Sequence, residues 1–242
     1  MKWLILSLTK LKFLSTIKFV PLLSSIGTMF LSVFVYGLFF GWGYAVGIIF
    51  LLVLHESGHY YAAKRKNLDV GLPTFIPFVG AWIQLKEQPM TVETEAYVAL
   101  AGPYVGTIAA LGCYGVARYF DSDLLLAVSY VGFLLNLVNL IPISPLDGGR
   151  ITAILSPRIW IVGAIMLVAC FIYRPSPMIL LIAVFALPQL WFAFRFDPKL
   201  PENKRYYTVS TIIRIEYAGM YLVLSGFLAL MTFQVYEMLP NR

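Results

Sequence analysis

From residue 19 onward, long apolar runs alternate with short stretches that are basic or rich in Gly and Pro. A bilayer takes about 20 apolar residues per helical crossing, so each long run predicts a membrane-spanning helix. Residues 19–40 give the first, and the Gly41-Trp42-Gly43 turn leads into a second at 44–66, which closes on Lys64, Arg65 and Lys66. A third covers 94–118. An acidic turn at Asp121 and Asp123 precedes a fourth, starting at Leu124. Two shorter runs, 157–173 and 177–195, are joined by Arg174-Pro-Ser-Pro177, and a basic loop at 196–214 leads to the last span at about 215–238. Lys2, Lys10, Lys12 and Lys18 lie among apolar residues at the start and predict an interfacial lead-in.

Two stretches break this pattern. Residues 71–90 are too interrupted by Gly and Pro to span, and 81–87 alternate with a period of two, predicting a short strand or hairpin. At membrane depth such a segment must be buried in protein or line a wet cavity; otherwise it is a loop lying in the headgroups. The fourth run is broken at Pro142 and Pro145, which free backbone carbonyls that Asn136, Asn139 or an aqueous pocket must satisfy.

Composition agrees with the pattern: 60% of residues are hydrophobic, 12% are charged and the mean hydropathy is +0.81. The fold class expected is an all-α polytopic membrane protein with six to seven transmembrane helices, a re-entrant strand or hairpin and one broken helix. The chain reads as a single domain, with a core at about 44–156 and further helices at 19–40, 157–195 and 215–238. A net charge of +6 raises nucleic-acid binding, but the basic residues sit at the ends of apolar runs, so no nucleic-acid partner is expected. With the amino terminus inside and seven spans, all of the 18 Lys and Arg except Arg118, Arg174 and Arg242 fall on the cytoplasmic side. The two shorter runs are near the lower limit for crossing, which leaves six spans as the alternative. Cys113 and Cys170 lack any metal-binding spacing and read as small core hydrophobes.

The chemistry is concentrated in LLVLHESGHYYAAKRK at 51–66, which holds both histidines of the chain. His55 and His59 are four residues apart, hence on one helix face, and Glu56 stands beside them as a candidate base. Ionisable groups at bilayer depth cost roughly 2.5 kcal/mol or more, so a merely packed histidine pair would leave Glu56 buried without purpose. A catalytic zinc uses three protein ligands and an open position. Asp147, the only carboxylate of the fourth span, is the best third candidate. Helical rise puts it about 13 Å below the cytoplasmic end, against about 8–11 Å for His59. Asp147 is also expected to cap a helix over 148–156, a role compatible with the first.

These residues resemble a known family. HESGH at 55–59 and NLIPISPLDGG at 139–149 are similar to the paired motifs of the site-2 proteases, intramembrane zinc metalloproteases of peptidase family M50. GAWIQLKEQP at 80–89 looks like the re-entrant strand of minimal members, and EAYVALAGP at 95–103 extends the likeness. The resemblance implies one Zn2+ held by His55, His59 and Asp147, Glu56 as catalytic base, and Asn139 helping to hold substrate. Residues Trp82, Gln84 and Lys86 on the strand are expected to handle substrate by strand addition. The substrates implied are transmembrane proteins or remnants of signal peptides, cut in or near the lipid bilayer. The protein is expected in a prokaryotic cell membrane as a multi-pass protein with its site towards the cytoplasm. Gly106 departs from the family, where many relatives have Asn, and the chain has room for neither a PDZ nor a CBS domain. Other readings are a metal transporter, disfavoured by the lack of inverted repeats, and an inactive relative, disfavoured by the intact HExxH.

Overall fold

The computed structural model of the 242-residue chain describes residues 22–77, 80–82 and 91–240. The expected lead-in at 1–18 lies outside the described residues. Helix α1 (Leu22–Phe40) turns through Gly41, whose φ of 91° is costly for any residue with a Cβ, into α2 (Trp42–Arg65). Lys64 and Arg65 occupy the last turn of α2, where positive charge offsets the helix dipole.

A two-stranded antiparallel hairpin follows, β1 (Thr74–Ile76) against β2 (Gly80–Trp82), with Phe75 opposite Ala81. Its position is set by packing. Phe75 is buried against Ile48, Ile49 and Leu52 of α2, and its N–H donates to the Thr28 hydroxyl of α1 at 3.2 Å. The Ser25 hydroxyl donates to the Pro73 carbonyl. β1, anchored by Phe75, pairs with Gly80–Trp82, so the described pairing reaches the first two residues of the alternating stretch at 81–87. Residues 83–90, including Gln84 and Lys86, lie outside the described residues.

Helix α3 (Val92–Tyr119) starts where Thr91 accepts the Thr94 N–H, and Glu93 and Glu95 favour its positive end. Helix α4 (Asp123–Asn139) is capped by Ser122 in the same way. After a turn region comes α5 (Asp147–Thr152), a 3-10 turn at Pro157–Ile159, α6 (Trp160–Tyr173), α7 (Pro177–Arg195), the short α8 (Pro201–Tyr207) and α9 (Thr211–Met238). Helix α2 packs on α3 and α4, while α9 closes over α4 and α5.

The close contact of α2 with α3 depends on glycines. A Cβ on Gly58 would lie 2.4 Å from the Ala101 carbonyl oxygen, and one on Gly102 would lie 2.2 Å from His59 Nε2. The small residues expected to serve close packing divide accordingly: Gly102 and Gly106 face neighbours, whereas Gly112 and Gly115 face open space.

By length and apolarity alone, four described helices can cross a membrane: α1, α3, α7 and α9. Phe30, Ile172, Phe194 and Val223 are each more than 60% exposed, part of an outward apolar surface far beyond what a water-soluble chain tolerates. The chain is an integral membrane protein, mostly helical. Run 157–173, expected to span, yields only the 14-residue α6 behind a 3-10 turn, because Pro157 and the Ser156 cap start a tight turn there.

Candidate metal centre

In α2 the imidazoles of His55 and His59 project from one face, and both are buried. Their outer nitrogens are committed. His55 Nδ1 lies 2.8 Å from Asn136 Oδ1 of α4, and the Asn136 amide in turn donates to the Gly132 carbonyl at 2.7 Å. His59 Nδ1 lies 2.8 Å from the Val98 carbonyl of α3. Since each of those partners is an acceptor, both Nδ1 atoms carry hydrogen and both Nε2 atoms are free to present lone pairs.

Those lone pairs converge. The two Nε2 atoms are 3.1 Å apart, and each is 3.2 Å from Asp147 Oδ2. Three electron-rich atoms this close repel unless a cation lies among them, and one shared proton cannot serve all three. Tetrahedral ligands at zinc distances of about 2.0–2.2 Å are roughly 3.3 Å apart, so the triangle has the size of one face of a zinc tetrahedron. The donor set fits a single zinc ion, and this is the only His, Cys, Asp and Glu cluster of that kind among the described residues.

Asp147 reaches the site because the fourth span breaks. Helix α4 ends at Asn139, and α5 restarts the chain with Leu146 as its cap. Asp147 is therefore the first residue of α5 and not its cap, and the helix stops at Thr152, short of the expected 156. Gly148 and Gly149 let α5 lie directly against the turn: a Cβ on Gly149 would fall 2.0 Å from Ser144 N. At the break the Leu140 carbonyl finds a partner from another helix, Tyr221 donating to it at 2.6 Å, while Trp160 Nε1 donates at 2.8 Å to Gly149, whose carbonyl also accepts the Ala153 N–H at the end of α5. Asn136, expected to serve those carbonyls, holds His55 instead, and Asn139 makes no side-chain hydrogen bond among the described residues.

Glu56 is buried at 6% exposure next to the pair, accepts no hydrogen bond among the described residues and is not one of the three converging groups. A buried carboxyl left unpartnered beside a metal-sized triangle is available to exchange a proton. Asp147 has a further contact: Arg150 Nη1 stands 4.0 Å from Asp147 Oδ1, Arg150 Nε donates to Glu95 Oε1 at 3.2 Å, and the Tyr206 hydroxyl donates to the other Glu95 oxygen. Burial and the Glu95 carboxylate push the Tyr206 phenol well above its ordinary range, so it remains a donor throughout the working pH range.

Sequence reasoning missed Asn136 and the Val98 carbonyl as the partners of the histidines. Asn136 had a signal, being a polar residue buried in an apolar helix. A backbone carbonyl has none. Gly106 also gains an explanation, since a Cβ there would lie 2.3 Å from Asn136 Oδ1. The glycine leaves room for the amide that orients His55. Asn136→Ala is expected to weaken zinc binding about 10–100-fold at unchanged fold, measured by competition with a chelating dye. Unchanged affinity would mean that helix packing alone orients His55.

The sequence model described as Peptidase family M50 matches residues 43–122. A zinc metalloprotease of Methanocaldococcus jannaschii is 35% identical over 113 residues, 44% of this chain and 32% of the relative. A probable chloroplastic zinc metalloprotease of Arabidopsis thaliana is 30% identical over 84 residues, 33% of this chain and 15% of the relative. The match thus spans about a third or less of these relatives' lengths. Among solved structures, a site-2 protease from Methanocaldococcus jannaschii aligns with a TM-score of 0.46 at 22% identity, covering 76% of this chain and 89% of that one. The likeness read from the HESGH motif is thus met independently, with the family match lying over α2, the hairpin and α3; NLIPISPLDGG at 139–149 lies beyond it.

Proposed function

We propose that this chain, which matches peptidase family M50 over residues 43–122, is a zinc metalloprotease that hydrolyses peptide bonds in or near transmembrane segments. The observation that carries the reading is the convergence of His55 Nε2, His59 Nε2 and Asp147 Oδ2 within 3.2 Å, with Glu56 buried beside them. Bound zinc would supply the Lewis acidity that activates water and polarises a carbonyl. Asn136 and the Val98 carbonyl hold the imidazoles with Nε2 inward, and the Gly102 surface lets α3 approach without touching the ligand face. Glu56 takes a proton from the attacking water and returns it to the leaving amine. A transport site would have no use for that carboxyl.

The site would lie towards the cytoplasmic side, since α2 reaches its basic end two turns beyond His59. With α2, α4 and α6 added to the four long helices, the chain would cross seven times, or six if one of the shorter helices does not span. Helical substrate hides its backbone and must be drawn out locally. Hairpin β1–β2, pinned to α1 and α2, offers an edge where an extended segment can pair. The alternation of the sequence through Trp82, Gln84 and Lys86 supports contacts of these residues with the side chains of such a segment. Asn139 stands beside the helix break and would bind substrate backbone there. Oligomeric state does not enter this reading.

Two outcomes test it. Removing metal from protein reconstituted in lipid vesicles with a single-span substrate is expected to reduce cleavage to background, and zinc added back should restore it. Cleavage that persists in metal-free protein would exclude the reading. Proline placed in turn at Gln84 and Leu85 is expected to reduce cleavage several-fold at one position and little at the other, at constant zinc content, because the donors of adjacent residues in an extended segment point to opposite sides; Gln84→Ala controls for loss of the side chain. Equal, near-native cleavage at both would remove the hairpin from substrate binding.

A further inference from the structure

At the end of the molecule where α6 and α9 begin and α7 ends, a cavity of about 400 Å³ lies between the 3-10 turn and α8. Its polar lining includes Ser156, Arg158, Lys204 and Arg214. The two guanidiniums bind only neutral oxygens. Arg158 Nη2 donates to the Phe196 carbonyl at 3.1 Å, and Arg214 donates to the carbonyls of Leu155, Tyr207 and Val209. None of the ion pairs among the described residues involves Arg158, Lys204 or Arg214. Asp197, next to the lining residues Phe196 and Pro198, accepts from the Lys199 backbone instead, and no carboxylate is among the lining residues. Three positive charges therefore line one cavity with no carboxylate paired to any of them, although Arg214 is partly buried.

Two aromatic rings, Phe196 and Tyr207, also line the cavity, edge-on to one another at 5.0 Å. Beyond the lining, Phe192 follows Phe196 at 5.8 Å, with Trp160 at 6.2 Å from Phe192. This row runs from the basic lining along α7 towards an outward apolar surface that includes Trp191 and Phe194, both more than 60% exposed. We propose that the cavity is a binding site for the phosphate of an anionic phospholipid, which the cations of Arg158 and Lys204 pair with while the aromatic row receives the glycerol and upper acyl chain. A free phosphate ion would share the charge chemistry but would leave the aromatic row unused. The position suits a lipid, because helix ends bearing basic residues mark the headgroup level of the cytoplasmic leaflet. Arg158 keeps donors in hand beyond its bond to Phe196, and the Ser156 hydroxyl, whose oxygen accepts from the Arg158 N–H, still has its own hydrogen to give. Arg214 braces the walls and supplies background charge.

The test uses the full chain in detergent and counts retained lipid by native mass spectrometry, with phosphatidylglycerol, phosphatidylcholine and inorganic phosphate as separate probes. Phosphatidylglycerol is expected to bind roughly tenfold or more tightly than phosphatidylcholine, at one molecule per chain. The double variant Arg158→Gln, Lys204→Gln should lose that preference, whereas Lys199→Gln, exposed and outside the cavity, should keep it. Arg214 is left intact because its three carbonyl bonds join separate segments, and a melting curve verifies that each variant is folded. Equal affinity for the two lipids overturns the proposal, as does an undiminished preference in the folded double variant. Inorganic phosphate displacing phosphatidylglycerol at equal concentration would show a site for the free ion and overturn the lipid assignment.

Discussion

Glu56→Gln is expected to lower peptide hydrolysis by about 10²–10⁴-fold or more while zinc content stays at that of the unaltered protein. The amide keeps the shape of the carboxyl, and the three converging atoms belong to His55, His59 and Asp147, so the metal site loses nothing. What is lost is the ability to accept a proton from the attacking water and hand it to the leaving amine. Since Glu56 makes no hydrogen bond to a neighbour among the described residues, the exchange leaves no buried partner unsatisfied, and stability should change little. Cleavage of a single-span substrate in vesicles, alongside metal analysis of the same sample, reads both halves of the expectation. Turnover within a few-fold of the unaltered protein would remove Glu56 from the reaction. The same variant, expressed in cells, should accumulate whatever membrane protein the active enzyme consumes.

His59→Ala and Asp147→Ala should each empty the metal site, a larger effect than the 10–100-fold expected for the outer partner Asn136. Each removes one of three protein ligands, and the two that remain cannot close a tetrahedral shell around zinc. The two variants should differ in stability. His59→Ala leaves the Val98 carbonyl without its imidazole partner, whereas Asp147→Ala relieves the contact of a carboxylate with two lone pairs when no metal is bound. Metal analysis after purification, with a melting curve as the measure of folding, separates ligand loss from unfolding. Full zinc occupancy in folded Asp147→Ala would overturn the third-ligand assignment.

The apolar runs determined by themselves that the chain is helical and lives in a membrane, because hydropathy over 20 residues is a local property with a fixed length scale. The helical spacing of His55 and His59 determined that they share a face, and matching depths linked them to Asp147 across 87 intervening residues. Where the outcome depended on which neighbour a group meets, only the tertiary structure decided. Alternation at 81–87 could not show what its first residues pair with: Ala81 lies opposite Phe75, and Phe75 is anchored on α2. Asn136 and Asn139 looked equivalent beside the helix break, and the difference is that Gly106 on α3 opens space for the Asn136 amide to reach His55. The freed carbonyls of the break were visible as a need, but Tyr221 answers that of Leu140 from a helix 81 residues along the chain. Local sequence carries periodicity, depth and the demand for a partner; identity of the partner is set by packing between segments distant in sequence, which no single stretch encodes.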